Sequence, residues 1–433
     1  MEQKFAEDLI EQGDLATKNE QWGNAIESYS KAIEINPRSA FAYFKRANAL
    51  TKVHLLKEAI GDYNTTIMLN PEFSFAFFKR GTAYQMMRQF KKSIGDFTLA
   101  INLNKEFHFA YYKRGFSFLI LKEYDNALED LNTALRINPG YIQAYYQRGN
   151  IYFELKKFEE AVLNYSNVVQ VDKKHDKAFL SRGIAYGNLK KNKLALSDFT
   201  AALNINPKLL IAYNYRGLIY NNLRRYESAI NDFNQVLSIN PDAADAYNNR
   251  GIAYFGLKDF LRAIRDYEMA LLKNPKAARV YYNRGNAYAG LKRYHEAIND
   301  YNKALSLEKN LAPAYFGKGN TNTSLGNHND ALRDYTNAIS VNPKYVQAYI
   351  GRGNVFMKMN YFKKALEDYT LAIEIKPDYS YGYLHRGLAY RYAGRQIDAA
   401  KDFNEFLRFH GRKDQIFQQV RNWLKKMDFE ISN

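Results

Sequence analysis

A period of 34 residues governs almost the whole chain. Stepping by 34 from Pro37 reaches eight of the nine prolines, and only Pro313 lies off the series. The register holds without an insertion through twelve repeats, 6–39 to 380–413, which cover 408 of the 433 residues. A period of this length is typical of a solenoid, in which each repeat buries its apolar face on its neighbours.

Each repeat predicts two helices. In residues 244–277, apolar residues recur at steps of three and four in a first segment that contains Tyr247 and in a second that contains Tyr267. A Gly-Leu-Lys-Asp turn separates them, and an Asn-Pro pair ends the second, because a residue before proline is pushed out of the helical region. We therefore predict an all-α fold, an α-solenoid of twelve helix-turn-helix repeats.

Charged residues share the period. Arg or Lys recurs in the first helix, usually followed by Gly, and Asp recurs sixteen residues later, as in Arg250 and Asp266. The first repeat lacks both, and Arg148 would meet Asn164. We predict a salt bridge between the two helices of each repeat, since a buried Arg needs a partner. The alternative is two independent solvated charges. We also expect the recurring glycines to let the two helices approach closely.

The composition limits the class of protein and the cellular compartment that the chain suits. The chain is 46% hydrophobic and has no cysteine, so it has material for a continuous core and none for disulfides. Its net charge of +17 is spread along the sequence. The first residues, MEQKFAEDLIEQG, have neither a basic start nor an apolar core, and no apolar run approaches the roughly 18 residues of a membrane span. We expect a cytoplasmic protein without a secretory signal.

The repeat resembles the tetratricopeptide repeat, whose 34-residue signature places an aromatic residue, Leu-Gly, Tyr, Ala, a second aromatic residue and Pro at fixed offsets. Tyr247 and Tyr267 fill the two aromatic positions in 244–277, and Leu131 is the one exception at the second. Where the signature has Leu before Gly, this chain has Arg or Lys. The resemblance implies a right-handed superhelix that binds peptides or proteins in its groove.

Catalysis has little support in the sequence. The seven histidines show no metal-ligand spacing, and no Gly-rich phosphate loop follows a strand, because no strand is predicted. Carboxylates occupy repeat positions, and no residues remain for a catalytic domain. We therefore expect no enzyme, no catalytic residue, no cofactor and no metal site.

The resemblance places the groove on the first helix of each repeat, at its second, fifth, ninth and twelfth positions. Early repeats carry aromatic residues there beyond those the core needs, and later repeats carry asparagine. We predict an apolar or amphipathic partner segment on the aromatic strip and an extended peptide backbone on the amides. Alternatively, the rings pack against neighbouring repeats and the asparagines only fill polar sites. The predicted residues are Phe41, Phe44, Phe75, Phe78, Phe109, Tyr112, Phe116, Tyr146 and Asn150, then Asn214, Asn248, Asn286, Asn320 and Asn354.

Two other ligand classes have less support in the sequence. The family's best-known clamp for chaperone tails needs Lys at the fifth position, which is never basic here, so that ligand is disfavoured. A basic row at the ends of the first helices would suit a polyanion or a membrane surface. We favour a local role, because a cation at a helix C-terminus stabilises it by about 0.3–1 kcal/mol. The basic row comprises Arg88, Lys122, Lys156, Lys190, Arg224, Lys258 and Lys292.

The chain's last segment predicts one amphipathic helix over 414–428. We expect it to cap the last repeat, so that the chain divides into a solenoid, 1–413, and a capping helix with its tail, 414–433. A docking helix for a partner is the alternative. The residues that share its apolar face are Ile416, Phe417, Val420, Trp423, Leu424 and Met427.

The function that follows is a non-enzymatic scaffold or adaptor that binds protein or peptide partners, with nucleic acid an unlikely partner. Two alternatives stay open. One is a regulatory or targeting arm of a separately encoded enzyme, as the repeats of some glycosyltransferases are. The other is a polyanion-binding scaffold.

Overall fold

The computed structural model describes residues 2–427; Met1 and residues 428–433 lie outside it. The described residues form 25 helices and no strand, which confirms the all-α prediction. The chain divides into two compact units, residues 1–212 and 213–433. Each is a solenoid in which consecutive helices pack on one another.

The helices of the first unit have the following bounds. They are α1 (Glu2–Lys18), α2 (Trp22–Ile35), α3 (Ala40–Lys52), α4 (Leu56–Leu69), α5 (Ser74–Met86), α6 (Phe90–Leu103), α7 (His108–Ile120), α8 (Tyr124–Ile137), α9 (Ile142–Glu154), α10 (Phe158–Val171), α11 (Asp176–Asn188) and α12 (Asn192–Ile205). The division between the units falls within α13 (Leu210–Asn222).

The second unit continues the alternation. Its helices are α14 (Tyr226–Ile239), α15 (Ala244–Gly256), α16 (Phe260–Lys273), α17 (Ala278–Gly290), α18 (Tyr294–Leu307), α19 (Ala312–Leu325), α20 (His328–Val341), α21 (Val346–Lys358), α22 (Phe362–Ile375), α23 (Ser380–Tyr392), α24 (Gln396–His410) and α25 (Gln415–Lys426).

The 34-residue register is kept by the helices themselves. From the second repeat onward, every first helix begins at the first residue of its repeat and every second helix begins at the seventeenth. In the first repeat, α2 also begins at the seventeenth residue, whereas α1 begins at Glu2, four residues before the repeat. The 34-residue period of the sequence is therefore also the spacing at which equivalent helices begin.

Asparagine, as well as proline, ends the second helices. Asn274 has left the helical region, with φ −135° and ψ 85°, and its side chain accepts a hydrogen bond from the Lys276 backbone N–H at 3.2 Å. The Asn104 side chain accepts from the Glu106 N–H at 3.0 Å, although Lys105 stands where proline is expected. Because the helix ends at the same repeat position in both, this local turn contributes to the stop.

The two helices of a repeat approach closely, as predicted from the glycines. Tyr267 is only 1% exposed, and a Cβ placed on Gly251 would lie 2.7 Å from its ring. A side chain at residue 251 would collide with this ring. Leu131, the exception at the second aromatic position, is also fully buried.

The predicted ion pairs are confirmed. Arg250 binds Asp266 through two hydrogen bonds, Nε to Oδ2 at 2.8 Å and Nη2 to Oδ1 at 2.7 Å. Arg148 meets Asn164 as expected, and its Nε donates to Oδ1 at 2.7 Å. The remaining pairs are Arg46–Asp62, Arg80–Asp96, Arg114–Asp130, Arg182–Asp198, Arg216–Asp232, Arg284–Asp300, Lys318–Asp334, Arg352–Asp368 and Arg386–Asp402.

Arg250 also makes contacts outside its own ion pair. Arg250 donates from Nη1 to Asn234 Oδ1 of the preceding repeat at 2.6 Å and lies 5.5 Å from the centre of the Tyr247 ring. The hydrogen bond to Asp266 raises the pKa of Arg250, whereas burial lowers the pKa of Arg148, which has no carboxylate partner. One side chain thus ties together two helices and two repeats.

The C-terminal helix covers the last repeat. Val420 and Leu424 are fully buried in one cluster with Phe403 and Phe406. All six residues predicted to form the apolar face belong to this cluster or pack against it. The helix spans Gln415–Lys426, with Asp414 as its N-cap. Residue 428 of the predicted span lies outside the described residues, and the domain boundary at residue 413 stays a prediction.

We expect Asp266→Ala to lower the free energy of unfolding by roughly 3 kcal/mol, because it leaves Arg250 half-buried without its counter-charge. Asp266→Asn should cost less, since it reproduces the contact between Arg148 and Asn164. The matched control is Asp242→Ala, which removes an exposed pair and should cost at most about 1 kcal/mol. Thermal unfolding followed by circular dichroism measures all three. Equal melting temperatures for Asp266→Ala and the wild type would contradict the account.

Burial lowers the pKa of His385 to about 4 from its ordinary 6.5. Between those values the unfolded chain takes up a proton that the folded chain does not, so stability falls as the pH falls. The expected loss from this residue is about 1.4 kcal/mol per pH unit inside that window. The difference in unfolding free energy between the wild type and His385→Gln should therefore change with this slope. A pH-independent difference would show that His385 is not held neutral.

Candidate functional site

Three phenylalanines recur half exposed in the first unit. Phe41, Phe75 and Phe109 occupy the second position of α3, α5 and α7, with 50%, 48% and 46% of their surface exposed. We call them the exposed phenylalanine row. Their 34-residue spacing places one ring on each of three successive repeats. Because these three rings are the most exposed of the predicted aromatic residues, they are the part of the predicted strip that a partner can reach most readily.

The rings at the fifth position are more covered than the sequence predicted. Phe44 is only 9% exposed, and its ring centre lies 4.8 Å from that of Phe73. Phe78 packs in the same way on Phe107, also at 4.8 Å. The aromatic residue that precedes each following first helix therefore covers the fifth position. The other predicted members are Tyr112 on Tyr141, Tyr146 on His175, and the half-buried Phe116.

Most of the predicted asparagines form a hydrogen bond inside their own repeat, which we did not predict from the sequence. The side-chain oxygen of Asn354 accepts a hydrogen bond from the hydroxyl of Tyr369, the buried aromatic residue of the same repeat, at 2.7 Å. A buried hydroxyl needs such a partner. The same bond joins Asn48 to Tyr63, Asn150 to Tyr165, Asn286 to Tyr301 and Asn320 to Tyr335.

The sequence holds the signal for this pairing. Where the second helix carries buried Tyr, the ninth position of the first helix is Asn, or Asp14 in the first repeat; where it carries Phe, that position is apolar or Thr, as with Phe403 and Leu388. Ile252 with Tyr267 is the exception. Because these two columns vary together, these asparagines complete the core, and their oxygens are engaged before any peptide arrives.

Asn214 and Asn248 differ from the other predicted amides. Asn248 exchanges hydrogen bonds with other amides, accepting from Asn283 at 3.0 Å and donating to Asn249 at 3.3 Å. The side-chain oxygen of Asn214 is buried and has no hydrogen-bond partner among residues 2–427. Asn248 therefore bonds to other amides and not to a core hydroxyl, whereas the buried oxygen of Asn214 is not open to a peptide.

Asn248 lines a cleft of the second unit with a volume of about 650 Å³. The cleft is open on one side and combines amide, aromatic and cationic groups with the carboxylate of Glu308. A peptide could place backbone groups against these amides and a carboxylate near the exposed Arg279. Its lining residues include Asn248, Ile252, Arg279, Tyr282, Asn283 and Pro313.

A lysine follows each member of the exposed phenylalanine row by four residues. We call Lys45, Lys79 and Lys113 the inner lysine row; all three are half-buried. Burial lowers the pKa of Lys79 and of Lys113. In the part of the chain that the structure describes, neither lysine has a carboxylate within 4.0 Å. Sequence reasoning missed this row, since it follows the period for three repeats only.

The basic row marks the ends of the first helices. All seven residues are exposed and adopt left-handed backbone angles, with φ between 57° and 63°. Glycine takes the same repeat position twice, at Gly326 and Gly394. This geometry supports the local helix-terminal role, because a left-handed residue closes the helix and a cation directly after the last turn is favourable there. Polyanion binding by this row stays an untested prediction.

Within residues 2–427, no group of three or more His, Asp or Glu side chains is placed to hold a metal ion. Over the same residues, no helix combines the length and the apolar character needed to cross a membrane.

The pairing of Asn354 with Tyr369 can be tested by comparison with the neighbouring repeat. Asn354→Leu should lower the unfolding free energy by about 1–3 kcal/mol, because it leaves a buried hydroxyl without an acceptor. Adding Tyr369→Phe should recover most of this loss, since the pair then matches Leu388 and Phe403. Chemical denaturation of both variants and of Tyr369→Phe gives the coupling energy. Strictly additive effects would contradict a direct bond.

Three family models match the chain, two of them in several places and the third in one place. A tetratricopeptide repeat model matches residues 142–175, 244–277 and 278–311, and a second one matches 346–379. A TPR repeat model matches residues 13–53, 117–156, 223–258 and 319–360. Together these matches span more than half of the chain. The chain belongs to the tetratricopeptide repeat family.

Solved structures similar to this chain include yeast Tom70, with 15% sequence identity over 99% of this chain and 96% of that one and a TM-score of 0.49. YrrB, a tetratricopeptide repeat protein with an unusual peptide-binding site, shares 26% identity over 43% of this chain and 97% of its own, with a TM-score of 0.39. MamA shares 30% identity over 37% and 94%, with a TM-score of 0.34. No curated protein sequence matches the chain.

Proposed function

We propose that the protein is a non-enzymatic scaffold that binds an apolar or amphipathic segment of a partner protein on the exposed phenylalanine row. The observation that carries the proposal is the half-exposed ring at the same helix position of three successive repeats. Covering apolar surface contributes about 25 cal/mol per Å². Aromatic side chains are also enriched at the centres of protein interfaces.

Rings of the exposed phenylalanine row pack against neighbouring aromatic residues. The ring centre of Phe75 lies 4.8 Å from that of Phe107 and 6.4 Å from that of Phe73. Phe109 lies 5.5 Å from Tyr141. Because these neighbours restrict the rings before a partner arrives, little side-chain freedom is lost on binding, which favours affinity.

A second binding region is favoured by the cleft in the second unit. Its combination of Asn248, Asn283 and Arg279 around one open volume suits an extended peptide that offers backbone groups and a carboxylate. Asn286, Asn320 and Asn354 are weaker candidates for such contacts, because their oxygens accept from tyrosine hydroxyls of the buried core, whereas the oxygen of Asn248 accepts from Asn283, another residue of the cleft.

Two cellular roles are compatible with this binding surface. An adaptor gathers partner proteins, whereas a regulatory or targeting arm holds one separately encoded enzyme. Both would use the exposed phenylalanine row, so the identity of the bound partner separates them. A cytoplasmic location and binding without catalysis belong to the same proposal.

The test is the double variant Phe75→Ser with Phe109→Ser, and its matched control is Met68→Ser with Val171→Ser. The control side chains are more exposed, at 72% and 70%, but lie on second helices of the same unit. Affinity purification with quantitative mass spectrometry should show partner recovery falling about tenfold for the first variant and unchanged for the control. Equal recovery with both variants, each checked for native helix content, would reject this site.

A further inference from the structure

We infer that the partner segment carries carboxylates, and that these pair with Lys79 and Lys113 beside the exposed phenylalanine row. This inference rests on the proposed function and specifies its ligand. The occupant is an amphipathic protein segment whose apolar side chains cover Phe75 and Phe109, and whose Asp or Glu side chains reach the two ammonium groups.

The helix geometry places each lysine next to its ring. Lys79 follows Phe75 by four residues on α5, and Lys113 follows Phe109 by four on α7, so each pair shares a helix face. The same spacing in α3 shows the resulting contact, since the Lys45 ammonium lies 4.8 Å from the centre of the Phe41 ring. Lys79 and Lys113 therefore lie on the same helix face as Phe75 and Phe109, about one turn further along the helix.

The chain contains its own example of the ligand that this lysine position takes. The Lys45 ammonium lies 3.0 Å from the carboxylate of Asp14, which stands at the ninth position of the preceding repeat. One and two repeats further on, that position holds Asn48 and Thr82, which cannot neutralise a lysine. The lysine of this ion pair thus recurs in the next two repeats, whereas the carboxylate that would pair with it does not.

The two lysines lie in surroundings that favour an incoming anion. Both are half-buried, and burial disfavours their charged form, which lowers the pKa of each. Other cations add to this effect: Lys52 acts on Lys79, and Lys79 acts on Lys113. A partly desolvated cation without a counter-ion gains more from a carboxylate than an exposed one does.

A peptide fits this surface better than a nucleic acid. Nucleic acids bind mainly through rows of cations that neutralise successive phosphates. The inner lysine row offers only two unpaired cations, each half-buried beside a phenylalanine, whereas the exposed cations of the basic row lie at the helix ends. Two carboxylates on an apolar segment match the number and setting of these lysines.

The experiment uses the full chain as bait for a displayed library of randomised peptides of roughly 15 residues, which span two repeats as either helix or strand. Three baits are compared: the wild type, Lys79→Gln with Lys113→Gln, and Lys57→Gln with Lys91→Gln. The last pair is the matched control, because Lys57 and Lys91 are exposed on α4 and α6 and are also 34 residues apart. A fourth bait, Phe75→Ser with Phe109→Ser, tests the surface itself.

The wild type and the Lys57/Lys91 control should select peptides enriched in both apolar residues and Asp or Glu. The Lys79/Lys113 variant should keep the apolar preference and lose the acidic one. A selected peptide should bind this variant about tenfold more weakly, and the wild type with less affinity once its acids are changed to Asn or Gln. Because neither lysine has a carboxylate partner among residues 2–427, the variant should melt no lower than the wild type.

Different failures have different meanings. Selected peptides that need Phe75 and Phe109 but show no acidic preference would overturn this inference and leave the proposed function intact. Recovery of the same peptides by the Phe75/Phe109 variant, or of no specific peptide by the wild type, would overturn both. Binding of a labelled oligothymidylate that depends on Lys79 and Lys113 would assign the surface to nucleic acid instead.

Discussion

A bidentate pair between the arginine of one helix and the aspartate of the next joins the two helices in nine of the twelve repeats. Arg250 illustrates it, since the guanidinium binds Asp266 in its own repeat and Asn234 in the preceding one while lying over the Tyr247 ring. A buried ion pair adds little stability compared with a well-packed apolar pair, but its loss on one side is costly and its geometry admits one register. The pair therefore fixes where each helix lies along its neighbour.

This fixed register is what gives the surface its order. Once Arg250-type pairs and buried rings such as Tyr267 have set each helix pair, a residue at the second position reappears at the same place on the next repeat. Phe41, Phe75 and Phe109 form a row for this reason alone. The chain thus separates two kinds of position, those that build the repeat and vary little, and those that face outward and vary from copy to copy.

The period made the framework predictable from the sequence. Gly251 with Tyr267 and Arg250 with Asp266 are pairs within one repeat, so a column of identical residues reveals both partners at once. The candidate surface was less predictable, because exposure depends on a third residue. Phe44 has the same helix position as a groove residue in the family, yet Phe73 covers it. Asn354 also has a groove position, but its side-chain oxygen accepts a hydrogen bond from the Tyr369 hydroxyl. Lys79 matters because the anion beside Lys45 has no counterpart one repeat later.

The most direct measurement of the division between building and binding positions is hydroxyl-radical footprinting of the full chain with and without its bound partner. We predict that oxidation of Phe75 and Phe109 falls on binding, while oxidation of Met68, exposed on the second helix of an adjacent repeat, is unchanged. Protection of Met68 together with unchanged oxidation of both phenylalanines would contradict it, because the partner would then occupy the opposite set of helices.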